Sequence, residues 1–226
     1  VEKEIEKNAE ASENLKIDEY NALTEYEEHK RQKDFQIRKQ EVAPKIKKLL
    51  STVQSVERLR EVRALVKFTR LDSEIQVNLT EPVEKIKWLP VMEVFGEGIF
   101  IELDENLIME YLGSEFVTNE MIHLYKNVDR SSDLVKKIFL HTFSHLLMRA
   151  VSVESGYSLA SLKERIYGEE GQFGILVYTS TPDSEGTLGG LSRLAKKERM
   201  ESIIVNTLKY SSICSNDPLC HDGTLS

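Results

Sequence analysis

Cysteine, net positive charge and long apolar runs are all scarce in this 226-residue sequence. Cys214 and Cys220 are its two cysteines, so a disulfide framework is excluded and a cytoplasmic location is expected. No run approaches the roughly 18 consecutive apolar residues of a membrane-spanning helix. The formal net charge of −8 argues against nucleic-acid binding through overall charge, so DNA contact would require a local basic patch.

A nucleotide-hydrolysing motor of the phosphate-loop type is also missing. Such a loop reads GxxxxGK[ST], and no glycine in this sequence is followed by lysine. We therefore expect no ATPase activity from this chain. Because the sequence begins at Val1 rather than at methionine, we expect a fragment of a longer protein.

Charge divides the chain into two parts. Residues 1–19 carry seven acids and three bases, whereas residues 26–48 carry four acids and eight bases. The basic stretch fits an arm that contacts nucleic acid or an acidic partner, and it also fits a solvated helical linker. We predict a charged helical lead-in or linker over residues 1–50 and a folded domain over residues 51–226.

A helix is predicted for residues 53–68, where apolar and basic positions recur at helical spacing. The apolar positions on one face are Val56, Leu59, Val62 and Val66. The basic positions on another face are Arg60, Arg63 and Lys67. These three cations are candidates for contact with a phosphate backbone, and the alternative is an ordinary solvated surface.

The rest of the sequence predicts a mixed α/β, helix-rich fold with a small sheet. Two β-rich runs around Gly96-Glu97-Gly98 predict a hairpin over residues 91–103. One long helix is predicted over residues 133–154, and a second helix is predicted to begin at Ser158 and end near residue 167. The run GILVYTST, residues 174–181, predicts a buried central strand that is followed by a loop and a helix.

The stretch HTFSHLLM, residues 141–148, places His141 and His145 one helical turn apart within the apolar stripe of the predicted helix. A metalloprotease helix reads H-E-x-x-H, and Thr142 stands where its glutamate would be, so that class is excluded. Three interpretations of the pair remain open: packed or hydrogen-bonded histidines, a polar functional pocket, and a metal site. A metal would need further ligands, and the candidates are Glu154, Asp183 and Glu185.

The loop PDSEGTLGG, residues 182–190, combines two acids with three glycines. They are Asp183, Glu185, Gly186, Gly189 and Gly190. A glycine-rich loop before a helix can present backbone N–H groups to an anion, although this spacing is not GxGxxG and a plain turn is equally compatible. If the loop met the histidine pair, the acids and histidines could serve a nucleic-acid hydrolase, which is the alternative function.

The segment CSNDPLCH contains three candidate zinc ligands, Cys214, Cys220 and His221. Its five-residue gap between the cysteines is longer than that of an ordinary zinc knuckle, and three ligands are one fewer than a structural zinc site uses. The sequence as given therefore requires no cofactor.

Five stretches in order carry a family resemblance: VERLREVRALVKFTRLD (56–72), WLPVMEVFGEGIF (88–100), LHTFSHLLMRAVSVESGYSLASLKERIY (140–167), GILVYTSTPDSEGTLGGLSRL (174–194) and CSNDPLC (214–220). They resemble the C-terminal region of DrmB, the helicase-associated component of bacterial DISARM anti-phage systems. More broadly, they are similar to the C-terminal domain of MrfA-type helicases.

The resemblance implies a non-motor subunit of a defence complex. Such a subunit contacts DNA and a separate DrmA-like helicase, which carries the ATPase activity. It also implies that Cys214 and Cys220 belong to a zinc site that further cysteines complete in the full-length protein. The histidine pair and the acidic, glycine-rich loop match the family pattern without an implied role.

Overall fold

The computed structural model describes residues 15–24, 34–65, 67–70, 72–78, 90–113, 132–169, 171–181 and 189–211. In chain order, the elements are α1 (Leu15–Thr24), β1 (Gln36–Lys39), β2 (Leu50–Ala64), β3 (Lys67–Arg70), β4 (Asp72–Asn78), β5 (Val91–Leu103), α2 (Glu105–Leu112), α3 (Ser132–Ser155), a 3-10 turn (Leu159–Ser161), β6 (Lys163–Tyr167), β7 (Gly174–Thr181), a second 3-10 turn (Ser192–Ala195) and α4 (Lys197–Lys209).

Five of these strands form one antiparallel sheet in the order β1-β2-β5-β7-β6. Strands β3 and β4 form a separate two-stranded ribbon. The mixed α/β class is therefore confirmed. None of the helices within the described ranges is long and apolar enough to cross a membrane.

The five-stranded sheet has apolar side chains on both faces. The front face is the side covered by α3 and α4, where Ile99, Ile101 and Val177 pack against helix residues such as Leu147 and Ile203. The back face is the side contacted by α1. A smaller cluster lies there, made up of Tyr20, Leu23, Val56, Leu59, Phe100, Tyr167, Leu176 and Tyr178.

The predicted helix over residues 53–68 is wrong, because strand β2 runs through that segment. A register shift between Val56 and Leu59 marks a bulge in its pairing with β5. A bulge inserts an extra residue, so that side chains three positions apart point to the same face of a sheet. Val56 and Leu59 are both buried on the back face, which explains why their spacing resembled that of a helix.

The predicted hairpin over residues 91–103 is also wrong, because those residues form the single continuous strand β5. Its glycines serve close packing rather than a turn. A Cβ atom at Gly96 would lie 1.8 Å from the carbonyl oxygen of Thr179, and one at Gly98 would lie 2.6 Å from that of Val177. Side chains at these positions would force β5 and β7 apart.

The helix predicted from Ser158 to about residue 167 is wrong as well. A single 3-10 turn is followed there by the edge strand β6. The long helix over residues 133–154 is confirmed as α3, and Gly156 follows it with a φ of +77°, as expected just past a helix end. The buried strand over residues 174–181 is confirmed as β7, which lies between two other strands.

Parts of the charged lead-in are folded onto the sheet. Helix α1 buries Tyr20 and Leu23 against the back face, and the Tyr20 hydroxyl donates to Glu102 Oε1 at 2.7 Å. Strand β1 pairs with β2. The division of the chain at residue 50 stays a prediction.

Candidate functional site

Helix α3 places the histidine pair beside the core rather than inside it. The buried stripe of the helix includes Leu140, Phe143, Ser144, Leu147 and Val151. The side chains of His141 and His145 lie next to this stripe, with 34% and 39% of their surface exposed. The prediction that both lie within the buried stripe is therefore wrong.

The histidines meet an acid that the sequence did not single out. His141 Nδ1 lies 3.4 Å from Glu164 Oε1, and His145 Nε2 lies 3.5 Å from the same oxygen. The centroids of the two imidazole rings are 4.3 Å apart. Glu164 is presented by the edge strand β6, so the contact joins the helix to the end of the sheet.

A buried serine holds the glutamate in this position. The Ser144 hydroxyl contacts Glu164 Oε2 and lies 2.7 Å from the carbonyl oxygen of His141. Its one proton can serve either acceptor. Since Oε2 is engaged by the serine, Oε1 is the carboxylate oxygen directed at both imidazoles.

A second carboxylate on the same face anchors the end of the glycine-rich loop. Glu97 is fully buried, and its carboxylate accepts hydrogen bonds from Gly189 N at 2.7 Å, Leu191 N at 2.9 Å and Ser192 N at 3.0 Å. The Ser192 and Tyr157 hydroxyls add two more donors. The Glu97 carboxylate therefore fixes the backbone of the segment that leads into α4.

The hydrogen bonds keep Glu97 ionised despite its burial. Burial by itself raises the pKa of this carboxyl group, but the backbone N–H groups of Leu191, Ser192 and Gly189 together with the Ser192 hydroxyl outweigh it and hold the pKa below its usual value. Of the loop glycines, Gly189 thus presents its N–H group to an anion, and the anion is the protein's own Glu97 side chain.

The histidine cluster, made up of His141, His145 and Glu164, lies apart from the Glu97 anchor on the front face. Glu164 is opposite Val177 on β7, which in turn is opposite Ile99 on β5, two residues from Glu97. Two strand spacings and two residue rises place the Cα atoms of the two glutamates roughly 12 Å apart. Asp183, Glu185 and Gly186 lie outside the described residues, so the convergence with the histidines that the alternative hydrolase function requires stays a hypothesis.

Two of the three predicted DNA-contacting cations lie in β2, and each is paired with an acid. Arg60 Nη1 lies 3.2 Å from Asp34 Oδ2, and Arg60 Nε lies 3.0 Å from Glu93 Oε1. Lys67 belongs to the separate ribbon, where it is exposed. The shared helical face that suggested this set does not exist, although a role in DNA contact stays a prediction.

Arg63 belongs to a network of hydrogen bonds on the back face, near the end of β7. Arg63 Nη2 donates to Glu61 Oε2 at 2.9 Å and to Ser180 Oγ at 2.6 Å, and Lys163 Nζ donates to Glu61 Oε2 at 3.3 Å. Burial raises the pKa of Glu61, but hydrogen bonds from Arg63, Ser180 and Lys163 outweigh this and lower the pKa to about 2. Arg63 therefore joins β2 to β7.

Sequence reasoning missed both Glu97 and Glu164. Glu97 carried a signal, since it is a lone acid within the apolar run VFGEGIFI, and a buried acid requires several donors. Glu164 carried none, because its segment was predicted as a helix. On a strand, Glu164 and Ile166 face the same side, and Ile166 packs against the front-face core.

Part of the chain matches a family model described as the MrfA Zn-binding domain, over residues 143–223. The match includes His145 and Glu164 and begins two residues after His141. It also includes Cys214 and Cys220, which lie outside the described residues. Among the described residues, His141, His145 and Glu164 offer two imidazole nitrogens and one carboxylate oxygen within 4.8 Å of one another, a ligand set that zinc accepts.

The chain is also similar over nearly its whole length to a curated protein. DISARM protein DrmB of Bacillus paralicheniformis is 34% identical over 239 aligned positions, which cover 97% of this chain and 41% of the relative. The chain thus spans about two fifths of the length of that relative. From these two matches, the protein is similar to DISARM protein DrmB and includes a segment of the MrfA Zn-binding type.

Proposed function

We propose that this chain is a non-motor component of a bacterial anti-phage defence complex, which contacts DNA and a partner helicase of the DrmA type. The observation that carries the proposal is the 34% identity to DISARM protein DrmB across 97% of the chain. The missing phosphate loop supports the division of labour, since a chain without a motor needs a partner to couple ATP hydrolysis to its work.

We place the phosphate contacts on a turn of exposed lysines that precedes β2. Its inward positions, Ala43, Ile46 and Leu50, are buried in the front-face core. Its outward positions, Lys45, Lys47 and Lys48, are all exposed. The Ile46 carbonyl accepts hydrogen bonds from Leu49 N and Leu50 N, both at 3.0 Å. These bonds fix the turn from which the lysines project.

This turn is a better candidate than the arginines of β2. A cation that is already paired with acids must give up those partners before it binds a phosphate. Arg60 contacts two carboxylates, whereas the exposed lysines of the turn can neutralise phosphates and displace the counterions condensed on DNA. The basic stretch 26–48 anticipated this surface, although residues 25–33 of the chain lie outside the described ranges.

Replacing Lys45, Lys47 and Lys48 together with alanine should weaken DNA binding uniformly across sequences. The slope of log affinity against log salt should become shallower by about 2 to 3 units, roughly 0.9 for each phosphate that the chain no longer neutralises. Mobility shifts or fluorescence anisotropy with duplex DNA at several salt concentrations measure this slope, in the presence and absence of the helicase.

The matched control replaces three other exposed lysines, Lys137, Lys196 and Lys209, and therefore makes the same change in net charge. This control should leave the slope close to that of the parent chain. Equal slopes for both triple variants would remove the lysine turn from the DNA surface. A shallower slope only in an Arg60→Ala/Lys67→Ala variant would assign the contact to those two residues instead.

A further inference from the structure

We propose that His141, His145 and Glu164 bind one divalent transition-metal ion of the zinc class and leave a coordination position open for water or another ligand. The proposal concerns a metal site built from α3 and β6. It is independent of the proposed defence function, and it is separate from any site that Cys214 and Cys220 form.

The distances from the two imidazole nitrogens to Glu164 Oε1 suit a shared ion better than direct hydrogen bonds. Side-chain N–H···O bonds usually measure about 2.7–3.2 Å between heavy atoms. The two nitrogen-to-oxygen distances here are 3.4 and 3.5 Å. In a tetrahedral zinc site with bonds of about 2.0–2.1 Å, neighbouring ligand atoms lie about 3.3 Å apart.

The ligands are held by rigid elements. The two histidines are four residues apart on one helix, so their rings project from the same side of consecutive turns. Glu164 belongs to a strand whose register against β7 is continuous from Lys163 to Tyr167. The Ser144 hydroxyl engages the distal carboxylate oxygen, which is the type of outer hydrogen bond that orients metal ligands in proteins.

The chemistry of the ligand set selects the class of ion. Two imidazoles with one carboxylate suit zinc and its neighbours in the first transition row, whereas magnesium and calcium prefer oxygen ligands. Structural zinc sites use four protein ligands, and sites with three protein ligands keep the fourth position for water or substrate. The partial exposure of His141, His145 and Glu164, between 21% and 39%, leaves room for that fourth ligand.

The test is a difference in metal content, so it does not depend on what the cysteines bind. The parent chain and the Glu164→Gln and His145→Ala variants are stripped with a chelator, reloaded with Zn²⁺, passed over a desalting column and measured for metal per chain. Each variant should hold one equivalent less than the parent. Titration of the stripped parent with Co²⁺ should show a visible band that both variants lose, while near-ultraviolet thiolate bands stay unchanged.

The matched control is Glu198→Gln, which removes an exposed carboxylate from α4 and should retain the metal content of the parent. Ser144→Ala should keep the three ligands but weaken the affinity for Zn²⁺ by about tenfold or more, because the carboxylate loses its orienting partner. Circular dichroism and urea midpoints of the stripped proteins identify a variant that misfolds, in which case the other ligand variant decides. Equal metal content in the parent and the folded ligand variants overturns the proposal.

Discussion

At the scale of single residues, two carboxylates on the front face are put to different uses. Glu97 is fully buried and is surrounded by donors, so it acts as an internal anchor for the segment before α4. Glu164 is partly exposed and faces two imidazoles that can also bind a metal. The difference follows from position, since Glu97 lies on an interior strand and Glu164 on an edge strand.

Replacing Glu97 with glutamine should destabilise the fold strongly. The amide would bring its own donors toward the N–H groups of Gly189 and Ser192, which leaves buried donors without an acceptor. The expected loss in the free energy of unfolding is about 3 kcal/mol. Urea denaturation followed by circular dichroism measures the loss.

Glu93→Gln is the matched control, because it makes the same chemical change near the exposed start of β5. Its ion pair with Arg60 is solvent-accessible, so the expected loss is below about 1 kcal/mol. If the two variants lose equal stability, the Glu97 carboxylate is not the anchor that its hydrogen bonds indicate.

Acidification should weaken the fold through the same carboxylates. The pKa of Glu97 is lowered by its donors, and the pKa of Glu61 is lowered to about 2 from an ordinary value of 4.5. A carboxyl group whose pKa is lower in the folded state stabilises the fold above its unfolded pKa, and this contribution is lost as the pH falls through the folded pKa.

The urea midpoint of the parent chain should therefore decrease from about pH 4.5 toward pH 2. Because Glu97→Gln removes one of the responsible groups, its midpoint should decrease less over the same range. A parent midpoint that stays constant down to pH 2 would contradict these assignments.

At the scale of elements, the sequence predicted the long helix, the buried strand and a small sheet, but not the two strands β5 and β6 that flank β7. From Leu134 to Met148, apolar residues and the two histidines recur at steps of three and four, and β7 is a short apolar, β-rich run. The bulge in β2 gives apolar residues the spacing of a helix, which produced the wrong helix prediction. Gly96 and Gly98 are required by close strand packing, but in the sequence they resemble the glycines of a turn. Both features depend on contacts with a neighbouring strand, which local patterns do not contain.

The histidine site, like the fold, was predictable only in part. The spacing of His141 and His145 on one helix face was evident, because it depends only on helix geometry. Their partner was not, because Glu164 reaches them through the pairing of β6 with β7. The ion pairs of Arg60 were hidden for the same reason, since Glu93 is brought beside it by the pairing of β2 with β5.

Replacing Gly96 with alanine should disrupt the pairing of β5 with β7. The added Cβ would meet the Thr179 carbonyl oxygen at 1.8 Å, and a backbone atom cannot move aside cheaply. We expect a loss of about 3 kcal/mol in the free energy of unfolding, at the upper end of the cost of overpacking. Chemical denaturation measures this loss, and hydrogen exchange of β7 amides locates it.

Gly113→Ala serves as the comparison. Gly113 follows α2 with an ordinary right-handed φ of −77°, and its added Cβ would lie 3.1 Å from the Met109 carbonyl oxygen. This variant should lose about 1 kcal/mol or less. Equal stability of the Gly96→Ala variant and the parent would mean that the two strands can separate without cost, contrary to the packing described above.

At the scale of the whole molecule, the chain combines a mixed α/β fold with similarity to DISARM protein DrmB. The sheet carries helices on its front face and α1 on its back face, and it presents the lysine turn before β2. The chain covers 41% of the length of DISARM protein DrmB, so it corresponds to one part of that relative. Its central role in our account is to connect DNA with a separate motor.

The most direct test of that proposed role is co-elution with a DrmA-like helicase. The purified chain and the helicase are mixed at moderate salt, treated with nuclease to remove bridging DNA, and separated by size-exclusion chromatography. Our account predicts that the two proteins elute together in a fixed ratio. Separate elution of two folded proteins under these conditions would contradict it.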